Sequence, residues 1–208
     1  MSMNPRPMTR WPMNRWMLGA IGAALLAQAW VGPLALWARF AFAGHMAAHM
    51  TVVAIAAPFL ALALDHPLDR AARALPWAFS PILASTIEMV AVWGWHAPAA
   101  HAAAGRSPAV FAAEQASFLV AGIWLWGAAL PRDRDRMAGG VVALLFTATH
   151  MTLLGVLILL SPRLLYGHAA GLADQQTGGA IMLGVGGAAY LAGGLALLAR
   201  LLDERRAA

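Results

Sequence analysis

Apolar residues run along this chain in blocks of about 20, the length an α-helix needs to cross the hydrocarbon core of a bilayer. The pattern predicts six spanning helices, at roughly 16–37, 41–64, 80–97, 109–130, 139–161 and 178–200. The polar links between them are short. Asp65-His66-Pro67-Leu68-Asp69-Arg70 ends the second span, and Pro131-Arg132-Asp133-Arg134-Asp135-Arg136 follows the fourth. Pro58 falls inside the second span, where loss of a backbone donor predicts a kink. The last span carries Gly178, Gly179, Gly184, Gly186, Gly187, Gly193 and Gly194, small residues that let helices approach closely in lipid. Trp11, Trp16, Trp37, Trp77, Trp93 and Trp95 fall near predicted span ends and read as interfacial anchors. The fold class is therefore all-α, a polytopic membrane helix bundle. Residues 1–15 form a leader, 16–200 the bundle and 201–208 a tail.

Charge sets the expected orientation. With the N-terminus in the cytoplasm, eleven of the fourteen arginines fall on the cytoplasmic side; only Arg39, Arg106 and Arg163 fall outside. Basic residues favour the cytoplasmic loops, so both termini are expected inside. Ala27-Gln28-Ala29 has the small-residue spacing of a signal-peptidase site, but apolar character continues to Trp37, which favours a retained first helix.

Composition strengthens this picture. Hydrophobic residues make up 61% of the 208 and charged residues 11%, against about a quarter charged in soluble domains. The mean hydropathy is +0.67. The net charge of +5 comes entirely from arginine on the basic side, spread over short loops with no continuous basic stripe, so lipid and not nucleic acid is the expected surroundings. The absence of cysteine excludes a disulfide framework and any thiolate metal site.

The unusual chemistry is His45-Met46-Ala47-Ala48-His49-Met50, inside the second span. Residues four apart share a helix face, so His45 stacks over His49 and Met46 over Met50. Imidazole with thioether is soft-to-borderline ligation, suited to copper and to Cu(I) in particular. At about 1.5 Å per residue, His45 and His49 lie roughly 6 and 12 Å from the outer start of their span. Glu88 and His150 lie roughly 12 and 15 Å from the outer ends of theirs, and Glu114 roughly 8 Å into its own. His96, Asp174 and Gln175 sit at the outer rim. Ionisable groups at membrane depth are costly and mark function when gathered in one interior layer. The expected copper ligands are His45, Met46, His49, Met50 and His150, with Glu88 and Glu114 balancing charge or orienting ligands. The blander readings are packing methionines and satisfied histidines: His96 as an interfacial residue, Glu114 as a hydrogen-bonding partner of a neighbouring helix, and Asp174 as the N-cap of the last helix. His101 and His168 read as solvated loop residues, and His66 lies on the other side.

Taken in order, these motifs resemble the membrane-integral CtaG-type cytochrome c oxidase assembly factors of bacteria. The His45–Met50 motif, followed by Ala57-Pro58-Phe59-Leu60, is similar to the family's His-Met-x-x-His-Met helix and its downstream proline. Trp95-His96-Ala97-Pro98 resembles its Trp-His-x-Pro. Glu114-Gln115-Ala116-Ser117-Phe118 with Trp126 resembles its Glu-His segment, and His150 before Gly155 with Pro162-Arg163-Leu164-Leu165-Tyr166 the end of its next span. Asp174-Gln175-Gln176 before Gly178-Gly179 is similar to its Asp-Gln-Gln signature. The likeness spans roughly residues 40–190. Gln115 departs from it, standing where a histidine is common, and six spans is short for the family.

The resemblance implies an accessory, non-enzymatic role in building haem–copper oxidases at the bacterial inner membrane. The implied partners are an immature cytochrome c oxidase subunit and a periplasmic copper chaperone. The rivals are a haem- or di-metal-binding membrane redox protein and a copper transporter. A transporter needs polar groups through the full membrane thickness, and the inner half here is nearly all apolar.

Overall fold

The computed structural model describes residues 14–130, 134–167 and 171–206, which are helical with no strand among them. The leader up to residue 13, Trp11, Arg132 and its neighbours 131 and 133, His168 and the last two residues of the tail lie outside the described residues. The helices are α1 (Arg15–Trp30), α2 (Pro33–Ala38), α3 (Phe42–Met50), α4 (Ala57–Ala63), α5 (Asp65–Ala74), α6 (Pro81–Trp95), α7 (Pro98–Arg106), α8 (Pro108–Ala129), α9 (Arg134–Leu159), α10 (Gly171–Ile181) and α11 (Gly187–Arg206). Four of them, α2, α6, α7 and α8, begin on proline. Its fixed φ suits the first helical turn, where a missing N–H costs nothing. Asn14 caps α1 by accepting from Trp16 N at 3.1 Å.

Two π-helical turns join helices end to end. Thr51–Ala56 links α3 to α4, and Met182–Gly186 links α10 to α11. The expected break at Pro58 is taken up here: the proline sits at the start of α4, and the wider turn precedes it. The last membrane helix starts earlier than expected, at Gly171, because the polar Asp174-Gln175-Gln176 run lies within α10 and not before it.

The chain passes six times between two ends of the bundle. Gly19 faces Ala63, so the start of α1 lies beside the end of α4. Gly139 faces Pro81, and Gly140 faces both Ala129 and Leu197, which brings the starts of α6 and α9 and the ends of α8 and α11 to that same end. Both described chain ends therefore share it, and the segment bearing His45 lies at the other. Five passes are long and apolar enough to cross a membrane: Arg15–Ala38, Phe42–Ala63, Pro108–Ala129, Arg136–Leu159 and Gly171–Asp203. The remaining pass, α6, has 15 residues, short of the ~20 that a full crossing takes. It is packed between α8 and α9.

Glycine allows the closest of these contacts. A Cβ on Gly179 of α10 would sit 2.5 Å from Leu159 N and 2.8 Å from Gly155 O of α9. Both obstacles are backbone, so the two helices touch main chain to main chain.

Asp174 and Gln175 hold the His-bearing end together. Asp174 does not cap its own helix. Its carboxylate accepts from Phe42 N (2.6 Å) and Ala43 N (3.2 Å), the first amides of α3, 132 and 131 residues away. Those are donors a helix N-terminus leaves unpaired, and a negative charge there also complements the helix dipole. Gln175 pins the loop before α10, accepting from Leu165 N (2.6 Å) and Tyr166 N (3.3 Å) and donating to Arg163 O at 3.0 Å. Asp174→Ala is expected to lower stability by about 1–2 kcal/mol, the cost of a lost cap. Thermal unfolding in detergent checks this; Asp174→Asn, which keeps an acceptor, should lose less than half as much.

Candidate metal centre

Polar side chains are stacked along the bundle axis in three groups, beginning at the end where α3 starts. The outermost joins three helices. His45 of α3, His101 of α7 and Glu114 of α8 each place a ligand atom within 4.8 Å of the other two, and all three are buried. His45 Nε2 lies 3.6 Å from Glu114 Oε1. The His45 and His101 rings meet edge to face at 4.9 Å. Phe42 and Tyr166 stack at 4.3 Å and wall off His101. Gln115, where the related motif often has histidine, donates from Nε2 to Glu114 Oε2 (3.2 Å) and accepts from the Trp30 indole (3.0 Å). Glu114 Oε1 is left without a hydrogen bond.

One turn deeper, His49 is fully buried and neither ring nitrogen has a hydrogen-bond partner. Its ring lies 3.9 Å from Phe118 and 5.3 Å from His96, centroid to centroid. His96, just past the end of α6, has Nδ1 2.6 Å from Val92 O and Nε2 3.4 Å from Met46 Sδ. A carbonyl beside Nδ1 calls for the proton there, which leaves the Nε2 lone pair facing the sulfur. Holding a ligand histidine by its other nitrogen in this way is a recurrent feature of metal sites. Tyr166 fixes the corner after His96 by donating to His96 O at 2.8 Å. Burial pushes this phenol, which lies in the loop between α9 and α10, up to about 12, so it remains a donor at physiological pH.

The third group is deeper still. His150 Nε2 of α9 lies 3.0 Å from Glu88 Oε2 of α6, both buried. Tyr190 of α11 donates to Val53 O, a carbonyl of the first π turn, at 3.0 Å. Met50 is buried against the second π turn; a Cβ on Gly186 would sit 3.1 Å from its sulfur. Beyond this level the buried side chains are mostly apolar, Ala57, Ala61, Leu125, Ala128, Ala129 and Leu144 among them, with Ser85 of α6, Thr147 of α9, the Trp126 indole and the Met137 thioether as the exceptions.

The sequence-predicted residues are thus all inward or at the rim, but they divide. Met46 and His49 share a level with His96, His45 is grouped with Glu114, and His150 with Glu88. Asp174 and Gln175 hold backbone. His101 corrects the sequence reading: it is a buried member of the outermost group and not a solvated loop residue. Its signal was Pro98 three residues earlier, a helix start that puts His101 on the first turn of α7. The only two tyrosines are both buried; the sequence reading takes in Tyr166 only as the end of a span motif, and Tyr190 not at all.

A protein-family model described as cytochrome c oxidase caa3 assembly factor (Caa3_CtaG) matches residues 1–204. No curated protein and no solved structure matches the chain.

Proposed function

The chain belongs to the cytochrome c oxidase caa3 assembly factor family, and we propose that its part in assembly is to hold copper at the His-bearing end of the bundle for an immature oxidase subunit. The observation that carries this reading is the middle group. His49 has two buried ring nitrogens with no partner, and His96 turns its free nitrogen toward the Met46 sulfur at 3.4 Å. A buried polar atom without a partner is costly, and a bound ion relieves that cost. Imidazole and thioether without cysteine is a donor set that suits Cu(I). Met46, His49 and His96 would hold the ion, with His45, Met50 and His150 flanking it along the stack.

Copper in this reading is cargo: only its bonds to the ligand side chains form and break, and no covalent bond of the protein changes. Among the described residues, the buried levels beyond Glu88 and His150 hold no histidine or carboxylate, only the Ser85 and Thr147 hydroxyls and the Met137 thioether, which favours holding over transport. The Phe118 ring packs directly on the His49 ring, an arrangement that suits a compact ion. Glu88 and Glu114 stand in different groups, which argues against a carboxylate-bridged metal pair. In the bacterial inner membrane, the arginine asymmetry puts both termini inside and His45 outside, where a periplasmic copper chaperone can reach it.

The test is genetic and analytical together. A strain lacking this protein should lose assembled oxidase and regain it with the wild-type gene. The wild-type protein, purified from copper-supplemented cells, should carry copper by elemental analysis. A reporter active only in the cytoplasm, fused after Ala208, should give signal. Full oxidase in the deletion strain, or a copper-free protein from replete cells, overturns the proposal; a silent fusion overturns the orientation.

A further inference from the structure

We propose that His45, His101 and Glu114 form a second cation site, separate from the Met46–His49–His96 level and selective for a borderline divalent ion of the Cu(II) or Zn(II) class. Three helices bring two imidazoles and a carboxylate to one buried point, with every ligand atom within 4.8 Å of the others. His45 Nε2 lies 3.6 Å from Glu114 Oε1. Ligands on a tetrahedral ion at 2.0–2.1 Å stand about 3.3 Å apart, so that edge is almost at bonding geometry and the others need to close by about 1.5 Å or less.

The carboxylate is held for this task. Gln115 donates to Oε2, and the Trp30 indole anchors Gln115 in turn, which orients the Glu114 carboxylate. Oε1 is left on the histidine side, buried and with no hydrogen bond. A buried carboxylate oxygen without a partner is relieved by a bound cation, and two neighbouring imidazoles complete three protein ligands with a fourth position for water or an incoming group. The donor set differs in kind from the level below it. Carboxylate with imidazole and no sulfur suits a divalent ion better than Cu(I), whereas the Met46 sulfur favours Cu(I). The stack then offers two sites, one helical turn apart, that sort ions by charge and softness. The inference extends the copper reading through His45, which flanks that level; His101 and Glu114 take no part in the copper donor set.

The experiment uses the full-length protein in detergent, stripped of metal. Zn(II) and Cu(II) are titrated in air against a competing chelator, and Cu(I) without oxygen. The wild type should bind about one divalent ion, with Zn(II) competing against Cu(II). Cu(II) bound there should show nitrogen coupling from two imidazoles in its electron paramagnetic resonance spectrum. His101→Gln and Glu114→Gln each remove a direct ligand, so each should weaken divalent binding by about 100-fold or more, beyond the cost of losing an outer partner, and leave Cu(I) affinity within about threefold. Met46→Ala should do the reverse. The Gln replacements keep size and polarity, and helix content and a monodisperse elution profile are required of each; if one variant fails these, the other gives the same reading. Divalent affinity unchanged in the folded variants, or no nitrogen coupling, overturns the second site and leaves the copper proposal standing. Divalent binding lost in both variants while the wild type shows no Cu(I) binding supports this site and overturns the copper proposal.

Discussion

Replacing His49 and His96 together by alanine is expected to strip copper from the protein, lowering the copper-to-protein ratio at limiting copper by about 100-fold or more. The magnitude follows from comparison: losing only an outer partner of a metal ligand costs about 10–100-fold in affinity, and this change removes two ligands. Both rings are buried between helices, so the variant leaves cavities, and helix content must be shown to persist. Assembled oxidase in the same cells should fall with the copper. Met46→Ala alone should weaken Cu(I) more than Cu(II), because the thioether is the soft member of the set. Elemental analysis across these variants, beside oxidase activity, makes the measurement. Unchanged copper in a folded double variant would return His49 and His96 to packing.

A second large effect is expected far from any ligand. Gly179→Leu should cost about 3 kcal/mol or more, at the upper end for overpacking. The first added carbon already meets Leu159 N at 2.5 Å and Leu159 Cα at 2.9 Å, and main chain cannot rotate aside. Moving α10 away from α9 would also carry Asp174 away from the amides of α3, so damage should spread to the metal-bearing end. Gly184→Ala is the matched control, since nothing lies within 4 Å of a Cβ there. Its unfolding midpoint should stay at or above the wild-type value, while Gly179→Leu should elute as aggregate or melt many degrees lower. Equal midpoints for the two would mean that the α9–α10 contact yields more easily than its geometry indicates.

Much of the fold is legible in the sequence because block length carries the signal. An apolar run near 20 residues has few alternatives to a spanning helix, and the five long spans fall within a few residues of the expected bounds at most ends. The start of the last one was misplaced because Asp174 and Gln175 look like a link. They lie inside α10 because their partners are elsewhere in the bundle, up to 132 residues away, and a local pattern does not contain such a contact. The candidate site was half legible. His45 and His49 announce themselves by four-residue spacing within an apolar span. His101 does not, since Ala-rich residues between a proline and a Gly-Arg pair read equally as a loop or as one short helix. Which histidine meets which carboxylate depends on how α3, α7 and α8 pack, and spacing along one helix is silent on that. The use of Gln115 to aim Glu114 was equally hidden, because a one-residue neighbour pair says nothing about the Trp30 indole that anchors it.

The two π turns have a consequence for phase. In an α-helix a row of residues four apart drifts around the axis by about 40° per step, and after four steps it has moved about 160°, nearly to the opposite side. Yet His45, His49, Val53, Ala57 and Ala61 are all buried, and so are Gly178, Met182, Gly186, Tyr190 and Gly194. Each row passes through a wider turn at its middle, which takes back part of the drift. The two rows therefore run nearly straight down the inside of the bundle, and Tyr190, just past the second wider turn, bonds to Val53 within the first. Metal-capable side chains above and small apolar ones below can then occupy a single inward line. Removing one residue from either turn would rotate everything beyond it by about 100° and set the two halves of that line out of register.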